Sequence, residues 1–198
     1  MTVKILLSVI FGTIIGSTVF PGAMDAYIGD LINIGLCVLL FFVGVDIGRQ
    51  GNFLDEVRNI GPKVFVVPAV IALGSIIGAM VAGTLLGMPI NEAAAIGAGF
   101  GWYSFSAVEL SKHSAELGAL AFITNVSREV TALILIPFIA KHIGNLETIA
   151  SAGATAMDTT LPLITKHTDT NTTIISFVTG IVLSILVPIL VPMMLLAL

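Results

Sequence analysis

Charge is what this sequence has least of. Only 10% of its 198 residues are Asp, Glu, Lys or Arg, whereas 57% are apolar, and the mean hydropathy is +1.09. A soluble fold must cover its outside with polar groups, so this composition excludes one, and lipid is the solvent for most of the chain. Basic residues are the scarcer sign, with 8 Lys and Arg against 12 Asp and Glu. A net charge of −4 without a basic cluster argues against nucleic acid as a partner. The single cysteine, Cys37, excludes an internal disulfide and, in its apolar run, reads as a small buried hydrophobe. His113, His142 and His167 each follow a lysine in a short loop and are too scattered for a metal site, so none is expected. Period-two alternation is missing as well, which leaves helices as the elements that can satisfy a backbone in lipid.

What is present is a succession of apolar segments near 3–20, 28–47, 63–87, 92–110, 116–140, 146–165 and 172–197, bounded by Pro, Gly, Asn and charges. Most are close to the ~20 residues that a helix needs to cross the hydrocarbon core. The start, "MTVKILLSVIFGTIIGSTVFPGA", has the layout of a signal peptide, but its core is long enough to span and reads as the first membrane helix. The expectation is one all-α integral membrane domain over 1–198, with about seven transmembrane helices, some broken or kinked. Under that count Lys4, Arg49, Arg58, Lys63, Lys112 and Lys166 fall on one side and Lys141 on the other. The positive-inside rule then places the N-terminus in the cytoplasm and the C-terminus outside. "FGTIIGSTVF" and "LGSIIGAMVA" share a G-x-x-x-G, a surface for close helix packing or merely common membrane-helix wording; no long repeat is evident.

Against this background "FITNVSREVTALILIPF" is anomalous, because a charge at the centre of a lipid-facing helix costs about 3 kcal/mol. Residues four apart share a helix face, so Thr124 aligns with Arg128, and Asn125 with Glu129. Arg128 and Glu129 are adjacent and do not face each other; each needs a partner from elsewhere. The best candidate lies in "SAGATAMDTTLPLI", where Thr155, Asp158 and Thr159 share a face if the segment is helical. Pro162 would deprive the Asp158 carbonyl of its helical partner, creating a cation site of carboxylate and carbonyl. The plainer reading is a proline kink with Asp158 paired to Arg128. In "AIGAGFGWYSFSAVEL", Gly97, Gly99 and Gly101 weaken the helix before Trp102 and Tyr103. That stretch is either an unwound substrate wall with rings for an ammonium group or a close helix crossing beside an aromatic anchor. Asp46 has Arg49 one turn away and is either a local pair or a gate residue, and Glu92 and Glu109 read as solvated ends.

Together "GFGWYS", "NVSRE", "GATAMDTTLPLI" and "FVTGIVLSILVPILVP" resemble the LysO lysine exporter family, from about the second helix to the C-terminus. The resemblance implies export of L-lysine, or a related cationic amino acid, across the inner membrane of a prokaryote. The family's paired intramembrane acids match Glu129 and Asp158. Longer members carry further segments before this part, so a homodimer or a second membrane subunit is expected, and Thr179-Gly180 stands where the family has His-Gly. On this reading Glu129 and Asp158 bind the ammonium groups or exchange them for H⁺ or Na⁺, with no other cofactor. Arg128 would hold the substrate carboxylate or act on Asp158 by its charge. Asn125, Thr155 and Thr159 would be neutral ligands, and Trp102 and Tyr103 a wall. The competing classes are a Na⁺/H⁺ or other small-cation antiporter, a non-transporting subunit of a larger assembly, and an intramembrane aspartyl protease on Asp46 and Asp158. The last lacks a Gly-x-Gly-Asp segment.

Overall fold

A computed structural model describes residues 63–197, Gly61 and scattered positions between 11 and 45. The chain divides into two compact units, Met1–Val45 and Asp46–Leu198. In the first, the described positions are helical, and Cys37 is exposed instead of buried. Asp46 lies outside the described residues.

The second unit comprises α1 (Lys63–Leu85), α2 (Ile90–Gly97), α3 (Tyr103–Ser111), α4 (Ala115–His142), α5 (Asn145–Ala152), a 3₁₀ turn (Gly153–Met157), α6 (Leu161–His167) and α7 (Thr170–Ala197). No strand occurs among the described residues. Among the described residues, three helices are long and apolar enough to cross a membrane, within α1, α4 and α7. The prolines inside them, Pro68, Pro137, Pro188 and Pro192, leave these helices continuous, as neighbouring helices in a membrane allow. Helix α4 begins where the Ser114 hydroxyl accepts the Leu117 N–H at 3.0 Å. Lys141 lies in its last turn, a cation at the negative pole of the helix. Large apolar side chains such as Val70, Ile77, Ile134 and Ile189 point outward from the long helices, as lipid contact requires, while Phe100, Leu110, Ile149 and Ile164 are fully buried between them.

Five crossings were expected from residue 63 onward, and two of those segments instead fold back on themselves. Asn145 opens α5 and Asp169 follows α6, yet the Asn145 Nδ2 donates to Asp169 Oδ2 at 2.7 Å. Residues 145–169 therefore enter and leave at one end of the bundle, the His142 end. Asp169 also accepts the Thr172 N–H at 2.7 Å and so caps α7. That bond, and then the one from Asn145, holds its carboxyl below the usual aspartate range. The other pair follows by elimination. Helix α7 starts at the His142 end and crosses, so Leu195 lies at the opposite end, where its carbonyl accepts from Asn91 Nδ2 at 3.2 Å. Helix α4 ends at His142, so its start, and with it the end of α3, is also opposite. Both Asn91 and Ser111 thus belong to the same end, and 90–111 is a second re-entrant hairpin inserted from the other side. At roughly 1.5 Å per residue none of α2, α3, α5 or α6 covers the ~30 Å hydrocarbon core. Hydropathy does not separate a crossing from a return of the same length.

An inverted repeat becomes visible in this arrangement. A long helix, an eight-residue half-helix, a break and a short helix occur as 63–111 and again as 115–167, entering from opposite ends. On the outer face of α1, Gly74 and Gly78 adjoin open space, as do Gly12 and Gly16 of the other G-x-x-x-G.

The hairpin at 145–167 has a direct consequence for labelling. In a Cys37→Ala background, single cysteines at Lys141 and Lys166 are expected to react with an impermeant maleimide from the same side, opposite to one at Lys112. Reaction of positions 141 and 166 from opposite sides of the membrane would contradict the fold-back.

Candidate functional site

The two breaks meet. The Phe100 carbonyl, in the first, accepts the Ala154 N–H of the second at 2.8 Å. Each break turns on backbone that a side chain disfavours: Gly101 has φ 97 and Gly153 φ 65, and the fully buried Phe100 is itself held at φ 49. At Gly153 a Cβ would also collide with the Phe100 carbonyl and press to 3.0 Å from Arg128 Nη2, so only glycine fits.

Helix α4 supplies the polar groups that fill the breaks. The Asn125 Oδ1 accepts the Gly101 N–H at 2.7 Å, while its Nδ2 donates to the carbonyls of Ile96 at 3.3 Å and Ala121 at 2.9 Å. Its amide is thereby fully engaged with backbone. One turn on, Arg128 bonds to Ser75 Oγ at 2.7 Å and to the carbonyls of Ala150 at 3.0 Å and Ser151 at 3.4 Å. It is not paired with Asp158, and the ion pair found among the described residues is the surface contact Lys112–Glu109. The Ser75 hydroxyl, which accepts from Arg128, donates to the Gly97 carbonyl at 2.8 Å.

On another face of α4, Glu129 is 7% exposed. Thr159 and Asp158 lie near it, both exposed: Asp158 Oδ1 accepts the Thr159 N–H at 2.5 Å and lies 3.3 Å from the Thr159 hydroxyl. Tyr103, at the start of α3, lies within electrostatic reach of both acids, its ring edge-on to Phe122 with centroids 5.7 Å apart. Trp102 precedes α3 and packs its ring on Phe105 at 5.3 Å. Thus Glu129, Asp158, Thr159 and Tyr103 come together, from three different elements. Thr155 is turned away from them, for its hydroxyl donates to the Ala152 carbonyl at 2.9 Å.

Two expectations change. The shared helical face of Thr155, Asp158 and Thr159 does not form, because 153–157 is a 3₁₀ turn and Asp158 leaves it at φ −136, ψ −89. Nor does Pro162 free the Asp158 carbonyl, which accepts the Leu161 N–H at 3.3 Å. Pro162 sits in the first turn of α6, where its missing N–H has no helical partner to lose. Serines that the sequence did not single out complete the region. Ser75 joins Arg128 to α2, and Ser176 of α7 donates to the Ala156 carbonyl at 2.9 Å. Nothing in their surroundings in the sequence distinguishes them from ordinary packing serines.

The profile of the family described as "Lysine exporter LysO" matches residues 6–195, so the match includes the first apolar segment. The "Putative lysine exporter" of Haemophilus influenzae is 34% identical over 191 residues, 93% of this chain and 93% of that protein. The "Lysine exporter LysO" of Escherichia coli is 34% identical over 154 residues, 77% of this chain but 51% of that protein, about half its length. No solved structure matches the chain.

The engagement of Asn125 makes it a stability determinant. Asn125→Ala leaves the Gly101 N–H buried without a partner, at about 1–3 kcal/mol, while the Ile96 carbonyl keeps the Gly99 N–H at 3.1 Å. For a chain of this size each kcal/mol is worth roughly 2–4 °C in Tm, so a fall of about 2 °C or more in detergent is expected. A Tm equal to that of the unsubstituted protein would show that Asn125 does not hold the break.

Proposed function

Because the chain belongs to the LysO family of lysine exporters, we propose that it carries L-lysine, or a related cationic amino acid, out across the cell membrane by exchange for H⁺ or Na⁺. The family is one of transporters, not enzymes. The observation that carries the mechanism is the approach of two carboxyl groups, Glu129 and Asp158, with Thr159 beside them. No basic side chain is bonded to either acid among the described residues. Two such groups beside a membrane-buried break call for a cation, and lysine brings two ammonium groups. A proton or Na⁺ would neutralise the same oxygens, so the acids cannot be fully occupied by both cations at once, which is the physical basis of exchange. Tyr103 and Trp102 then form an aromatic wall attractive to an ammonium.

Orientation belongs to the same proposal. Three spans after residue 62, taken with a crossing by each of the apolar segments 3–20 and 28–47 that the sequence suggests, would make five. Lys141 then joins Lys4, Arg49, Arg58, Lys63 and Lys166 on one side, leaving Lys112 on the other. The bias is as strong as under seven crossings and again places the N-terminus in the cytoplasm and the C-terminus outside. Assembly as a homodimer or with a second membrane subunit is part of the proposal as well.

Glu129→Gln and Asp158→Asn are each expected to abolish lysine flux in proteoliposomes while the purified protein keeps its helical content. Flux at the rate of the unsubstituted protein in both variants would remove this mechanism. Cation exchange without any lysine dependence would instead identify a small-cation antiporter. A cysteine at position 52 should resist impermeant reagents applied from outside intact cells, and strong labelling there would reverse the orientation.

A further inference from the structure

We propose that Arg128 is a positioning residue, a shared clamp on the C-terminal ends of the two half-helices, and does not take the substrate carboxylate. Helices α2 and α5 both end inside the bundle, and the last carbonyls of a helix lack helical partners. Arg128 reaches both ends. It donates directly to the Ala150 and Ser151 carbonyls of α5, and through Ser75 it reaches the Gly97 carbonyl that closes α2. Each helix end carries roughly half a negative charge, so two of them balance one guanidinium. That leaves no charge for an anion to compensate, and both helix ends would repel one.

Shape agrees with charge. Three of the five guanidinium N–H groups point at three fixed partners, a geometry that the planar fork matches and a lysine ammonium does not. Gly153 admits the fork against the break, where a Cβ would sit 3.0 Å from Nη2. A cavity of about 680 Å³ beside it, lined by Ser75, Thr124, Ser127, Arg128 and Ser151, is where a carboxylate would have to bind if Arg128 were a ligand. Glu129 is the next residue on α4, so the clamp also sets the distance between that acid and the hairpin that carries Asp158.

The transport arm of the test rests on the export reading; the fluorescence arm does not. Trp102, the sole tryptophan, lies in the first break and reports on its packing. Full-length protein in proteoliposomes carries Arg128→Gln, Arg128→Lys or Ser75→Ala, with lysine flux, competition by cadaverine (lysine without its carboxylate) and Trp102 emission as readouts. For a clamp, Arg128→Gln and Ser75→Ala shift the emission. Arg128→Gln lowers the maximal rate by about tenfold or more, with KM and the lysine-to-cadaverine preference within about twofold of the unsubstituted protein. Arg128→Lys, which keeps the charge, recovers part of the rate. A roughly tenfold rise in KM or loss of the preference for lysine, with emission unchanged, would overturn the clamp in favour of a carboxylate ligand. If Arg128→Gln does not fold, Ser75→Ala decides alone, since it breaks the link to α2 without removing charge. If the unsubstituted protein moves no lysine, the export reading fails, and unchanged emission in both variants then still overturns the clamp.

Discussion

A backbone that stops being helical inside a membrane leaves peptide groups that water cannot reach, and each one unpaired costs several kcal/mol. The architecture around residues 98–102 and 153–160 answers that constraint. Each break supplies part of what the other lacks, as in the bond from the Ala154 N–H to the Phe100 carbonyl, and side chains from α1, α4 and α7 supply the rest. Two hairpins entering from opposite sides can meet tip to tip only if both turns are tight, which is what Gly101 and Gly153 at positive φ permit.

The same breaks sort charge. Carbonyl ends of the half-helices converge on Arg128, while the acids occupy the other side of α4, near the starts of α3 and α6. Adjacent residues on a helix lie about 100° apart, so one helix can serve both regions with consecutive side chains. The guanidinium is bonded to hydroxyl and carbonyl oxygens, whereas neither acid is bonded to a basic side chain among the described residues. An inverted pair of hairpins around such a site is the kind of construction in which either side of the membrane can be given access by moving one repeat against the other.

Much of the site was legible before any coordinates. Glu129 and Asp158 stood out because burying a carboxylate in lipid is costly, and Gly97, Gly99 and Gly101 marked a helix that could not persist. The alternative pairing of Asp158 with Arg128 does not occur, since Arg128 bonds to three other oxygen atoms, and neither does the favoured release of the Asp158 carbonyl by Pro162. Asn125 and Thr155 carry the groups of a ligand, yet both spend them on backbone. Side-chain chemistry says what a residue can bond to; which partner lies within 3 Å depends on chain segments 20 to 50 residues away, as Ser75 and Arg128 illustrate.

Composition and hydropathy alone determined that the chain is an all-helical membrane protein, because lipid imposes its demand residue by residue through the transfer cost of each side chain. They also singled out Asn125 and Glu129, which are buried, along with Asp158 and Thr159, which are exposed. The tertiary structure decided that two apolar segments return instead of crossing, that the repeat 63–111 and 115–167 is inverted, and that Arg128 and Glu129 serve different ends. Those outcomes turn on contacts such as Asn145 with Asp169 and Phe100 with Ala154. A window along the sequence weighs the solvent preference of a segment, but the direction in which that segment leaves the membrane is set by what it meets there.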